Sequence, residues 1–89
     1  MSITEIVNGV FHDMSKSEQA VAAYFADHIQ DFTLYTLDSI ADNVGVSTTS
    51  VIRFCRKLGF AGYKDFQNRL RAEVNIHMTL PEQFKMLDN

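Results

Sequence analysis

Hydroxyl and basic side chains share one face of the segment from Ser47 to Leu58. At about 100° per residue, Thr49, Arg53 and Lys57 lie opposite an apolar stripe of valine, phenylalanine, cysteine and leucine. A threonine can hydrogen-bond the edge of a base or offer its methyl group to thymine, and an arginine can bind guanine with two hydrogen bonds. These side chains predict a helix that lies in the major groove of duplex DNA.

The candidate DNA contacts divide by their position along the chain. The amino-terminal turn of such a helix reaches deepest into the groove, which favours residues 47–49 for base contacts. Arg53 is expected to reach a base, whereas Arg56 and Lys57 are expected to neutralise phosphates. The complete set of candidate DNA-binding residues is Ser47, Thr48, Thr49, Ser50, Arg53, Arg56, Lys57, Tyr63 and Lys64.

The helices that position these residues follow from the apolar spacing, which is helical nearly throughout and never alternates with a period of two. This spacing predicts an all-α fold, a compact bundle of five helices. Ser15 followed by Glu18 predicts a capping box at the start of the second helix. The β-branched and aromatic residues from Asp31 to Tyr35 predict a connector. The five helices are expected at about 3–14, 16–29, 37–44, 48–58 and from 63 onward.

The third and fourth helices together have the spacing of a helix-turn-helix, from Leu37 to Arg56. Two helices that cross steeply need a small residue at their contact, which Ala41 supplies. The tight turn needs a residue that tolerates positive φ four positions later, and Gly45 stands there. The positions that hold the two helices together are all apolar: Ile40, Val44, Val46, Val51 and Phe54.

The charges are unevenly distributed along the chain. The net charge is −3, but residues 1–52 contain one basic residue, Lys16, and seven acidic residues. Six of the eight basic residues lie between positions 53 and 71, where Asp65 is the one acidic residue. An anionic partner responds to this local field rather than to the sum. The distribution favours DNA binding, although a solvated basic face remains an alternative.

The sequence leaves the roles of two neighbouring residues open. Tyr63 and Lys64 stand at the start of the fifth helix, where they could bind a backbone phosphate or face solvent. Tyr63 also belongs to the apolar stripe of that helix, together with Phe66 and Leu70. Arg71 is expected to be a surface charge.

Length and composition exclude several classes of protein. With 89 residues the chain fits one domain, and it contains no paired catalytic groups, so we expect no enzyme. The three histidines share no ligand spacing and there is one cysteine, so no metal and no cofactor are expected. That cysteine, Cys55, lies on a buried helix face, so its thiol is expected to be inert. The longest apolar run, Ala20 to Ala26, is too short to span a membrane. Without a secretory signal, a cytoplasmic protein is expected.

Two stretches resemble a known family: MSKSEQAVAAYFADH, from residue 14, and TLDSIADNVGVSTTSVIRFCRKLGFAGYKDFQNRL, from residue 36. They are similar to the amino-terminal domain of the RpiR/MurR family of bacterial transcriptional regulators, and the RKLGF-x-GY element is the most specific part. The resemblance implies a DNA-binding domain over residues 1–76 and a frayed tail or linker over 77–89. It also implies a homodimer and a phosphosugar effector, bound by a separate sugar-isomerase-type domain that this chain lacks.

The sequence therefore predicts sequence-specific binding of duplex DNA in the regulation of genes, with sugar or phosphosugar metabolism implied by the resemblance. The alternative is a protein-interaction module that uses the helix-turn-helix fold without DNA, which the acidic first half suggests.

Overall fold

The computed structural model of the chain describes residues 2–74, and every regular element in that range is helical. The elements are α1 (Ile3–Val10), a 3₁₀ turn (Phe11–Asp13), α2 (Lys16–Asp27), α3 (Ile29–Leu34), α4 (Leu37–Val44), α5 (Thr48–Lys57) and α6, which begins at 63 and continues to 74. The predicted all-α fold is confirmed. The predicted tail, residues 77–89, lies outside the described residues. No helix within residues 2–74 is long and apolar enough to cross a membrane.

The first turn of α2 is stabilised by the predicted capping box. The Ser15 hydroxyl accepts a hydrogen bond from the Glu18 backbone N–H at 3.2 Å, and the Glu18 carboxylate accepts one from the Ser15 backbone N–H at 3.1 Å. These two bonds satisfy backbone donors that have no partner within the helix. The Glu18 side chain is thereby fixed beside the amino terminus of α2.

The prediction of a connector between the second and third helices is wrong, because the chain forms the short helix α3 there. The expected long second helix ends at His28, whose backbone leaves helical geometry (φ −137°, ψ 49°). Phe32 and Thr33 are then buried on α3, and this packing outweighs their modest helix propensity. Residues 2–74 consequently contain six α-helices rather than the expected five.

Four phenylalanine rings from α2, α3, α5 and α6 form the centre of the core. Phe25, Phe32, Phe54 and Phe66 are each fully buried, and in five of the six pairs among them the ring centroids lie 5.2–6.2 Å apart. Edge-to-face pairs at such distances add stability beyond the burial of apolar area. Since Phe54 anchors one face of α5 in this cluster, the opposite face of α5 points outward.

Candidate nucleic-acid interface

The turn between α4 and α5 has the predicted helix-turn-helix geometry. Gly45 ends α4 in the left-handed region (φ 87°), where a side chain would be strained. The backbone N–H groups of Gly45 and Val46 both donate to the Ala41 carbonyl, at 2.8 and 3.0 Å. Ala41 itself is buried, and α4 packs against α5. The predicted register of the motif is therefore confirmed.

The amino terminus of α5 presents hydroxyl groups to the exterior. Ser47 is the N-cap, and its hydroxyl accepts a hydrogen bond from the Ser50 backbone N–H at 3.2 Å. The two serine hydroxyls also lie 3.2 Å apart. Thr48 and Ser50 are half-buried, whereas Thr49 is exposed. Ser47 is exposed as well, so Ser47 and Thr49 carry the exposed hydroxyls of this turn.

The guanidinium groups of α5 face away from the core. Arg53 is exposed on the side opposite Val51 and Phe54, both fully buried. Arg56 is exposed too, and its Nε donates to the Ala61 carbonyl at 3.1 Å. A guanidinium carries five N–H donors, so this bond orients Arg56 and leaves donors for a phosphate.

Lys57, a predicted phosphate contact, is exposed, and its ammonium group binds two acceptors near the start of α2. Its ammonium Nζ lies 3.1 Å from Glu18 Oε1 and donates to the Asp13 carbonyl at 2.7 Å. Burial of the Glu18 carboxyl acts to raise its pKa, but hydrogen bonds from Lys57 and the Ser15 backbone outweigh burial and lower the pKa. The Lys57 charge is thus paired with a carboxylate from α2.

The Tyr63 side chain, one of the candidate phosphate contacts, is buried, as the apolar stripe of α6 predicts. Its hydroxyl donates to the Tyr35 carbonyl at 2.5 Å and approaches the Phe32 carbonyl at 3.3 Å. Burial raises the pKa of Tyr63 to about 12. The neighbouring Lys64 is exposed.

Two more polar residues of α6 bind the same stretch of backbone, a role that the sequence pattern alone did not reveal. Gln67 Nε2 donates to the carbonyls of Phe32 (3.2 Å) and Tyr35 (3.0 Å). Arg71 Nε donates to the Thr33 carbonyl at 2.8 Å, so it is more than a surface charge. The four-residue spacing of 63, 67 and 71 was a possible signal, because it puts three hydrogen-bond donors on one helix face.

Cys55 lies on the buried face of α5, and its side chain is fully enclosed. Burial raises the pKa of its thiol to about 12. The predicted buried position of Cys55 is confirmed, and a thiol that stays protonated is a poor nucleophile.

An exposed threonine and arginine face on the second helix of a helix-turn-helix defines the class of this domain. The comparison with known families agrees, because the chain matches the family described as "Helix-turn-helix domain, rpiR family" over residues 1–76. The chain belongs to this family, as the sequence resemblance implied.

Relatives of the chain are transcriptional regulators. It is 32% identical over 66 residues to an uncharacterised HTH-type transcriptional regulator from Providencia stuartii, matching 74% of this chain and 23% of the relative. It is 28% identical over 73 residues to HexR from Pseudomonas aeruginosa, matching 82% and 26%. The structure of Vibrio vulnificus NanR complexed with ManNAc-6P superposes with a TM-score of 0.79 at 27% identity, covering 83% and 28%. The chain thus spans about a quarter of the length of these relatives.

Proposed function

We propose that this domain binds duplex DNA sequence-specifically through α5 and so regulates transcription. The observation that carries the proposal is the exposure of Thr49 and Arg53 on the face of α5 opposite its buried residues. The left-handed turn at Gly45 fixes α5 relative to α4, which is the arrangement that inserts the second helix into the major groove. Membership of the family supports the same function.

The proposed contacts follow the accessibility of each side chain. Thr49 and Arg53 contact base edges, helped by the half-buried Thr48 and the two capping serines. Arg56 and Lys64 neutralise phosphates, since both are exposed and basic. The proposed DNA-binding residues are therefore Ser47, Thr48, Thr49, Ser50, Arg53, Arg56 and Lys64.

The proposal extends to the context in which the domain works. Helix-turn-helix domains commonly bind as dimers to two half-sites one helical turn apart, and we propose a homodimer in the cytoplasm. The related NanR was solved in complex with ManNAc-6P, a phosphorylated sugar. That complex supports a phosphosugar effector that acts on a separate domain, and regulation of sugar metabolism genes.

The dependence of DNA affinity on salt concentration tests the proposed DNA binding. If Arg53, Arg56 and Lys64 neutralise about three phosphates in each domain, log affinity should fall against log salt with a slope of roughly −3 per domain. Fluorescence anisotropy with a labelled duplex, selected from a random pool for binding, measures this slope. A flat response, with no preference for the selected duplex over random DNA, would instead favour a protein-interaction module and overturn the proposal.

A further inference from the structure

The two ends of α5 are attached to different helices. Its amino terminus is joined to α4 by the tight turn at Gly45. Its last turn is attached to the start of α2, because Lys57 reaches back to Glu18 and to the Asp13 carbonyl. These two partners lie 39 and 44 positions away in the sequence, so the attachment is a tertiary contact.

The hydrogen bonds of Lys57 explain why this attachment is specific. An ammonium group has three N–H donors, and two of them are directed to Asp13 and Glu18 at 2.7 and 3.1 Å. The Glu18 side chain is only 7% exposed, and its Oε1 atom accepts a hydrogen bond from the Ser15 backbone N–H as well as binding Lys57. The capping box that starts α2 therefore supplies a preoriented acceptor for the last turn of α5.

We infer that Lys57 is a positioning residue for DNA recognition rather than a phosphate contact: it fixes the angle of α5 by binding Glu18 and the Asp13 carbonyl. This inference rests on the proposed function. Phe54 and Leu58 keep α5 packed against the core. Without the Lys57 bonds its last turn can still shift, and a shift displaces Thr49 and Arg53 relative to the base edges. Non-specific binding tolerates such a shift, because phosphate contacts require no fixed register.

Two roles of Lys57 predict different results for the variant Lys57→Met, which keeps the apolar stem of the side chain and removes its charge. The positioning role predicts a roughly three- to ten-fold drop in the ratio of selected to random affinity, with an unchanged salt slope. A phosphate contact predicts equal weakening on both duplexes and a slope reduced by about one unit. Anisotropy titrations on both duplexes, at a temperature where circular dichroism shows each variant to be folded, distinguish the two.

Glu18→Gln extends the test from the other side of the pair. The positioning role predicts a lower selected-to-random ratio for this variant as well, and little further loss in the double variant Glu18→Gln/Lys57→Met, because both changes break the same contact. The double variant also leaves no buried charge without a partner. A phosphate contact predicts the opposite sign, since loss of Glu18 would release Lys57 and strengthen binding to both duplexes.

Lys64→Met is the matched control. Lys64 is exposed, so this variant should show the reduced slope and the equal weakening of a phosphate contact. Unchanged selected-to-random ratios in Lys57→Met and Glu18→Gln, with or without a lower melting temperature, would overturn the inference. If the domain does not bind DNA at all, the unmodified protein itself will show neither the salt slope nor a preference for the selected duplex. That result is distinct from a failure of the inference about Lys57.

Discussion

Helices α5 and α6 look alike in the sequence but use their polar residues differently. Both are basic, and both bury one apolar stripe. On α5, Thr49 and Arg53 point away from the domain. On α6, Tyr63, Gln67 and Arg71 bind the backbone carbonyls of residues 32, 33 and 35. A polar face on a helix therefore indicates a binding surface only where its side-chain donors are not bound by backbone carbonyls of a neighbouring helix.

The short helix α3 is the reason for this difference. The last carbonyls of any helix lack partners within the helix, and α3 has only six residues, Ile29–Leu34. Its carboxyl-terminal end lies against α6, whose side chains supply the missing donors. On α5, Arg56 and Lys57 donate to neighbouring segments, whereas Thr49 and Arg53 are exposed on the outer face.

The largest expected change in stability comes from removing the hydrogen-bond donors that the side chains of α6 supply to α3. The double variant Tyr63→Phe/Gln67→Leu deprives the Phe32 and Tyr35 carbonyls of both side-chain partners, which should lower the free energy of unfolding by roughly 2–5 kcal/mol. Each single variant should cost less than half as much. After Tyr63→Phe the Gln67 amide still donates to both carbonyls, and after Gln67→Leu the single Tyr63 proton still serves the Tyr35 carbonyl. Urea denaturation measures all three. Additive single effects would show that the two side chains do not share these acceptors.

A second variant tests the attachment of α5 to α4. Ala41 is buried on α4, which packs against α5; if Ala41 lies at that contact, as the motif predicts, Ala41→Leu should overpack it and cost ~1–3 kcal/mol of stability. The melting temperature should fall, and affinity for the selected duplex should fall with it. The exposed Ala23→Leu on α2 is a matched control, for which little change is expected. An unchanged melting temperature in Ala41→Leu would contradict the helix-turn-helix contact.

A smaller effect separates the charged contact of α5 from the neutral ones of α6. The Glu18 pKa is lowered in the folded protein from its ordinary 4.5, so the stability that this carboxylate contributes is present above that pH. It is lost as the pH falls through the lowered value. The stability difference between the unmodified protein and Glu18→Gln should therefore shrink as the pH falls below about 4.5.

The variants of α6 provide the control for this pH series. The Tyr63 pKa is about 12 and an amide does not titrate, so the cost of Tyr63→Phe/Gln67→Leu should stay constant over the same range. Denaturation at a series of pH values measures both differences. A constant difference for Glu18→Gln would contradict the charge pairing with Lys57.

Local patterns predicted most of the site. The capping box at Ser15, the left-handed turn at Gly45 and the buried stripe of α5 depend on residues a few positions apart, and each is found as predicted. The helix α3 was not predictable in this way, because the burial of Phe32 by distant helices decides it.

The partners of individual polar side chains were also beyond sequence reasoning. Lys57 and its acceptor Asp13 are 44 positions apart, and Tyr63 and Tyr35 are 28 apart. Local spacing places Lys57 on the outer side of α5 but gives no information about the α2 terminus beside it. The sequence could therefore identify the helix-turn-helix and the outward face of α5, but it could not show which basic side chains of that face bind acceptors in neighbouring helices.

The most direct test of base recognition by α5 is the selectivity of Arg53→Ala. Arg53 is exposed on the outer face of α5, so its loss should lower the affinity for the selected duplex by ~1–3 kcal/mol, a factor of roughly 5 to 150, and affect random DNA much less. Thr49→Ala should change selectivity in the same direction. Anisotropy titrations of both variants on both duplexes, at one salt concentration, give the ratio directly. A ratio of selected to random affinity that stayed at the value of the unmodified protein would contradict base recognition by this face of α5.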